Sequence, residues 1–138
     1  MFYKNILYLY IKDIMNLVEQ HIITPNSSSW KKLDNLCYLS KNLYNTSLYA
    51  IKKEYLLTGK TLRYPDLEKL FRNQHNPDYF NLLTACSQQI LRKVDKNIKS
   101  FFELLKKYKK DKKSLTGCPE FPKYKDKLKG KYFNFFWF

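Results

Sequence analysis

The stretch SQQILRKVDKNIKSFFELLKKYKKD, residues 87–111, decides the fold. Apolar side chains recur at Ile90/Leu91, Val94, Ile98, Phe101/Phe102, Leu105 and Tyr108. That interval is close to the i, i+3, i+4, i+7 spacing that lines one side of an α-helix. Lys96, Lys99, Lys106, Lys107 and Lys110 fall largely off the stripe, so the same helix carries a cationic side. The spacing predicts a helix over 84–110.

Upstream, a second long pattern predicts a helix over about 29–57. Its apolar positions are Trp30, Leu33, Leu36/Cys37, Leu43/Tyr44, Leu48, Ile51 and Tyr55, while Lys31, Lys32, Asp34, Asn42, Asn45, Lys52 and Lys53 lie mostly off them. Ser27–Ser29 offer hydroxyls to cap its start, and Gly59 offers a stop at its end. Between the long helices, residues 65–73 read as a short one. Pro65 suits a first helical turn, Asp66 and Glu68 sit where the helix dipole favours anions, and Leu67, Leu70 and Phe71 make a small apolar face. NQHNP, residues 73–77, breaks it.

Beyond the deciding helix, Gly117, Pro119 and Pro122 argue against a regular element over 111–122. KYKDKLKGK, residues 123–131, alternates cations with Tyr124 and Leu128. The outer ends are β-leaning: NLVEQHII at 16–23 is rich in branched residues, and YFNFFWF at 132–138 holds six aromatics in seven positions. The expectation is therefore a mainly α fold, a three-helix lobe with short β segments at 16–23 and 131–137; the aromatic tail either pairs as a strand in a core, beside 16–23, or belongs to a chain that continues past residue 138, the second being favoured.

Of the 138 residues, 26 are Lys or Arg and 12 are Asp or Glu, a formal charge of +14. Only Arg63, Arg72 and Arg92 are arginines. Residues 92–131 alone hold 15 cations against 5 anions, so most of the excess lies in that stretch. A surplus of this sign points to polyanionic partners, nucleic acid above all. Lysine is a flexible point charge suited to phosphate, whereas bidentate reading of guanine is the specialty of arginine. The expected mode is backbone and shape recognition.

The candidate contacts are Lys96, Lys99, Lys106, Lys107, Lys110, Lys112, Lys113, Lys123, Lys125, Lys127, Lys129 and Lys131, with Tyr124 as the aromatic best placed to stack on a base. Tyr108 and Phe121 are weaker stacking candidates, and Phe101 and Phe102 read as core. A solvated lysine face with no ligand is the bland alternative.

Other chemistries are poorly represented. Cys37, Cys86 and Cys118 are odd in number and form no CxxC pair, which favours free thiols in a reducing cytoplasm. His21, His75 and the dispersed carboxylates show no metal-ligand spacing, and three glycines cannot build a phosphate loop. No cofactor, metal or catalytic residue is expected. No apolar run reaches the length of about 18 residues needed to span a bilayer, so no membrane partner is expected either.

Three stretches together resemble a known family. They are LVEQHIITPNSSSWKKLDNLCYLSKNLYN (17–45), the deciding stretch at 87–111, and GCPEFPKYKDKLKGKY (117–132). In order and spacing they resemble the amino-terminal region of the TnpB proteins, the OrfB-type transposases of bacterial insertion sequences. TnpB proteins are similar to type V CRISPR effectors and act as RNA-guided DNA endonucleases. The resemblance implies an amino-terminal wedge β-barrel interrupted by a helical recognition lobe, a region also described as a transposase helix-turn-helix domain. It also implies partners, guide-type RNA and DNA.

The family's RuvC-like nuclease and zinc finger follow that region. On this reading residues 1–14 are an extension ahead of a natural start at Met15, 15–131 the TnpB-like region, and 132–138 an aromatic tail at a truncation. The expected function is nucleic-acid binding without catalysis. The alternative is an interaction or regulatory fragment that docks on a full-length homologue, or a remnant without function.

Overall fold

Two long helices and two short ones account for most of residues 24–127, the residues described by the computed structural model. They are α1 (Trp30–Thr58), α2 (Tyr64–Asn73), α3 (Pro77–Phe80) and α4 (Thr84–Lys110), followed by a single 3₁₀ turn, Lys112–Ser114. The described residues divide at Trp30 into two units. In the first, Ser27 organises a turn: its N–H donates to the Thr24 carbonyl at 2.9 Å and its own carbonyl accepts from Trp30 N–H at 3.0 Å. The second unit carries the rest of the helices.

The mainly helical expectation holds, and α1, α2 and α4 begin and end within a residue of the predicted spans. The β segments predicted at 16–23 and 131–137 lie outside the described residues, and among the described residues there is no strand.

The core forms where the apolar stripes meet. Leu43, Tyr44, Leu48 and Ile51 of α1 pack with Leu67 and Phe71 of α2, Tyr79 of α3, Leu82, and Ile90, Leu91, Val94 and Ile98 of α4. Fully burying one such side chain contributes about 1.5–3 kcal/mol. Ser40 and Ser47 share the buried side of α1, and their hydroxyls donate to the Leu36 and Leu43 carbonyls at 2.7 and 2.6 Å. Bonding back one turn satisfies a polar group that burial would otherwise penalise. The α1 stripe does not stay buried along its whole length: Tyr55, predicted on it, is 38% exposed, and Leu56 and Leu57 beyond it are 74% and 72% exposed. The helix has outrun the elements that cover it.

The helix ends follow local chemistry. Gly59 adopts φ +71° and its N–H reaches the Tyr55 carbonyl at 2.9 Å, the left-handed stop predicted for α1. At the end of α2 the left-handed residue is His75, φ 47°, where glycine is the usual choice. Asn76 N–H then bonds the Phe71 carbonyl at 3.1 Å and His75 N–H the Arg72 carbonyl at 3.2 Å, a Schellman closure.

Residues 73–77 were predicted only to break a helix, yet they also start one. The Asn76 side chain accepts from Tyr79 N–H at 3.1 Å and Pro77 occupies the first turn of α3, where its missing N–H costs nothing. The 3₁₀ turn at Lys112–Ser114 also corrects the expectation of no regular element over 111–122. Asp111 Oδ1 accepts from Lys113 N–H at 2.9 Å and nucleates that turn before the glycine and prolines begin.

Candidate nucleic-acid interface

On α4, Lys96, Lys99, Lys106, Lys107 and Lys110 are all exposed, and Lys112 and Lys113 continue the cationic surface into the 3₁₀ turn. Four of them form a line. Successive residues turn about 100° on a helix of 3.6 residues per turn, so Lys96, Lys99, Lys106 and Lys110 project from one side of α4. Ile90, Leu91, Val94 and Ile98 project from the other and are buried.

The second group is held differently. Residues 121–127 run without regular structure, and α1 fastens them. The Asn45 side chain donates from Nδ2 to the Lys125 carbonyl at 2.9 Å and accepts at Oδ1 from Lys125 N–H at 2.7 Å. One amide thus pairs with both backbone groups of a residue 80 positions away, as a neighbouring strand would. Lys41 Nζ donates to the Lys127 carbonyl at 2.9 Å, and its charge lies 4.5 Å from the Tyr38 ring centroid. Lys125 Nζ lies 5.4 Å from the centroid of Tyr44, whose hydroxyl accepts from Asn97 of α4 at 3.1 Å. Phe121 closes the strap at its upstream end, edge-on to Phe101 at 5.3 Å between centroids.

These contacts sort the predicted residues. Tyr124 is 46% exposed and stands clear of the core, whereas Phe121 packs against it and Tyr108 is half-buried. Lys127 and Lys123 are exposed, but Lys123 Nζ lies 2.7 Å from Glu120. That hydrogen bond raises the Lys123 pKa and lowers that of Glu120. Lys125 is half-buried against Tyr44, so it serves the fold as well as the surface. Lys129 and Lys131 lie outside the described residues.

The structure does not gather the candidates into one groove. Asn97 and Phe101, which face the strap side, project roughly a third of a turn or more away from Lys96 and Lys99, so the lysines occupy two surfaces.

A third polar feature orients α4 itself. Glu68 of α2 accepts from Arg72 Nη2 at 2.9 Å, Gln88 Nε2 at 3.1 Å and Tyr79 Oη at 3.2 Å. A hydrogen bond from Tyr64, then those from Arg72, Gln88 and Tyr79, hold the Glu68 carboxyl below its usual pKa against the opposing effect of burial. Burial, and next Glu68, push the Tyr64 phenol up, and the Arg92 guanidinium lies 4.8 Å from its ring centroid. Ser87 Oγ donates to the Tyr79 carbonyl at 2.7 Å. Ser87, Gln88 and Arg92 of the SQQILR stretch therefore fix α4 against α2 and α3. Glu68, predicted only as a dipole partner, is the centre of this knot.

Sequence reasoning missed Lys41, Tyr44, Asn45 and Asn97. Asn45 carried one usable signal, a polar residue flanked by the buried Tyr44 and Ser47, but nothing in the sequence names its partner.

Among the described residues no group of three His, Cys, Asp or Glu side chains could hold a metal ion, and no helix is long and apolar enough to cross a membrane. Cys37, Cys86 and Cys118 form no disulfide, and burial pushes the Cys86 thiol up in pKa. Comparison with family models, with curated proteins and with solved structures finds no match.

Proposed function

We propose that this chain is a nucleic-acid-binding module that grips phosphate backbone with lysines, as an amino-terminal fragment of a TnpB-type RNA-guided nuclease would. The observation that carries this reading is the strap. Asn45 and Lys41 of α1 hold residues 125 and 127 by their backbone, so Lys123, Tyr124 and Lys127 are presented on a fixed path rather than on a loose tail. A buried-edge pairing of this kind limits the ordering entropy left to be lost on binding. The exposed lysines of α4 add a second cationic surface. On the same reading α1–α4 correspond to the helical, helix-turn-helix-like recognition lobe, and the β segments expected at 16–23 and 131–137 to part of the wedge barrel. The partners are guide-type RNA and DNA, and the chain binds without cutting.

Mobility shifts with structured RNA and duplex DNA at two salt concentrations test the proposal. If about six phosphates are neutralised, log K falls against log salt with a slope magnitude of about 4–5. Reversing the charge of Lys123, Lys125 and Lys127 together weakens binding, and magnesium added to the same preparation leaves plasmid intact. Binding indifferent to both salt and charge reversal sinks the reading.

The nearly bare Leu56 and Leu57 at the end of α1 favour a second reading, docking on a full-length homologue without nucleic acid. Co-elution in size exclusion that is lost on Leu56→Lys, with no mobility shift, would select it.

A further inference from the structure

The strap and α1 run antiparallel in a fixed register. Asn45 bonds both backbone groups of Lys125, and Lys41 Nζ donates to the Lys127 carbonyl. Two residues forward along the strap thus match four residues back along α1. An extended chain advances about 6.6 Å in two residues and a helix about 6 Å in four, so the strap lies nearly parallel to the helix axis. Lys127, the last described residue, is therefore heading toward the first turns of α1.

One side of those turns is not claimed by the core. At about 100° per residue, Asp34, Cys37 and Tyr38 project from the side of α1 that carries Lys41 and Asn45, whereas Leu36, Leu39 and Leu43 project from the other. The core takes the second set. Of the first, Tyr38 is 45% exposed, with the Lys41 charge 4.5 Å from its ring centroid, and Asp34 and Cys37 are half-buried. Asp34 is the only carboxylate of α1 ahead of Glu54.

From this arrangement we infer that the shelf of Asp34, Cys37 and Tyr38 is the docking surface for residues 128–131 of this same chain, which continue the strap in its register. Lys129 then lies level with Cys37, and Lys131 level with Leu33 and Asp34. Reach allows it, because eleven residues follow Lys127. Four of them in extended form span about 13 Å, against about 12 Å along α1 from Lys41 to Leu33. Composition favours the same occupant: KLKGK, residues 127–131, brings ammonium groups to Asp34 and the apolar Leu128 to the Tyr38 ring. An exposed ion pair is worth little, so the pins at Lys41 and Asn45 set the register and Asp34 refines it. The inference goes beyond the nucleic-acid reading and does not depend on it. It moves Lys129 and Lys131 from a free cationic tail to the flank of α1.

The test is disulfide scanning of the full chain, with Cys118→Ser removing the exposed thiol and native Cys37 as the reporter. Lys129→Cys, Lys131→Cys, Phe133→Cys and Trp137→Cys are oxidised mildly one at a time, and linked peptides are identified by mass spectrometry. A disulfide needs Cα atoms within about 7 Å, so the scan reads register directly. Lys129→Cys links to Cys37 at least tenfold faster than Phe133→Cys or Trp137→Cys, and it does so within one chain. Adding Asp34→Lys slows that link about threefold or more. Alkylation of Cys37 in the Cys118→Ser chain gives a second reading, which needs no introduced thiol. Asn45→Ala, which loosens the strap, speeds that alkylation at least threefold with the far-UV helix signal unchanged. Equal linking at all four positions, fastest linking at 133 or 137, links between chains that mark a second copy as the occupant, or a Cys37 rate indifferent to Asn45→Ala each overturn the inference and leave the nucleic-acid reading standing.

Discussion

Two single side chains, Glu68 and Asn45, do comparable structural work by opposite electrostatics. Glu68 gathers α2, α3 and α4 by accepting from Arg72, Tyr79 and Gln88. Asn45 gathers α1 and the strap by donating to and accepting from the Lys125 backbone. The first junction depends on a charge and its pKa is depressed; the second is neutral and self-complementary. An ionised hub makes stronger bonds but inherits a pH limit, whereas an amide bracket is weaker and indifferent to acid. One cationic surface, the α4 rail, therefore hangs on a titratable group and the other, the strap, does not.

The largest effect expected is at the charged hub. Glu68→Gln keeps the shape but removes the negative charge from the shared acceptor, and costs about 1.5–3 kcal/mol at pH 7 by the worth of hydrogen bonds to charged groups. Because the folded-state pKa of Glu68 is lowered, its contribution is present above the unfolded carboxyl value and is lost as pH falls through the folded one. Urea midpoints between pH 7 and pH 3 should fall for the parent and fall less for the variant. Asp78 works against this trend. Burial raises its pKa, despite the Asn42 hydrogen bond and the Lys41 charge, so protonating it in acid relieves a cost. Equal acid sensitivity in parent and variant would show that Glu68 is not the hub.

The neutral bracket should give less, and locally. Asn45→Ala removes two hydrogen bonds of a half-buried side chain, about 1–2 kcal/mol together. Hydrogen exchange at the Lys125 amide then accelerates roughly tenfold, since about 1.4 kcal/mol corresponds to a factor of ten. Amides within α4 keep their protection at both pH 7 and pH 4. Loss of protection across α4 in this variant would mean that the strap and the helices form one cooperative unit.

The smallest effect sits beside the hub, at the turn joining α2 to α3. His75→Gly removes the cost of a left-handed φ, roughly 1 kcal/mol, but forfeits the stacked contact with Phe80 at 6.1 Å and loosens the unfolded chain. A net gain of about 0.5 kcal/mol is expected, read as a melting temperature raised by a few degrees. His75→Val, which tolerates that φ poorly, should lower it instead.

Local rules alone determined the helices. The 3.6-residue period at 30–51 and 90–108, the proline at 65 and the glycine at 59 are short-range signals, and α1, α2 and α4 follow them to within a residue, whereas α3 was not expected. The cationic rail of α4 is legible for the same reason, because a helix converts spacing into direction. What only the tertiary structure decided is which polar residues meet. Asn45 and Lys125 are 80 positions apart, Tyr44 and Asn97 are 53 apart, and Glu68 and Gln88 are 20 apart. No period encodes such pairs, because a hydrogen bond depends on where two backbones arrive in space and not on the spacing within either. The same limit separated the exposed Tyr124 from the packed Phe121, two aromatics in one basic stretch whose fates were set by Phe101 lying beneath one of them.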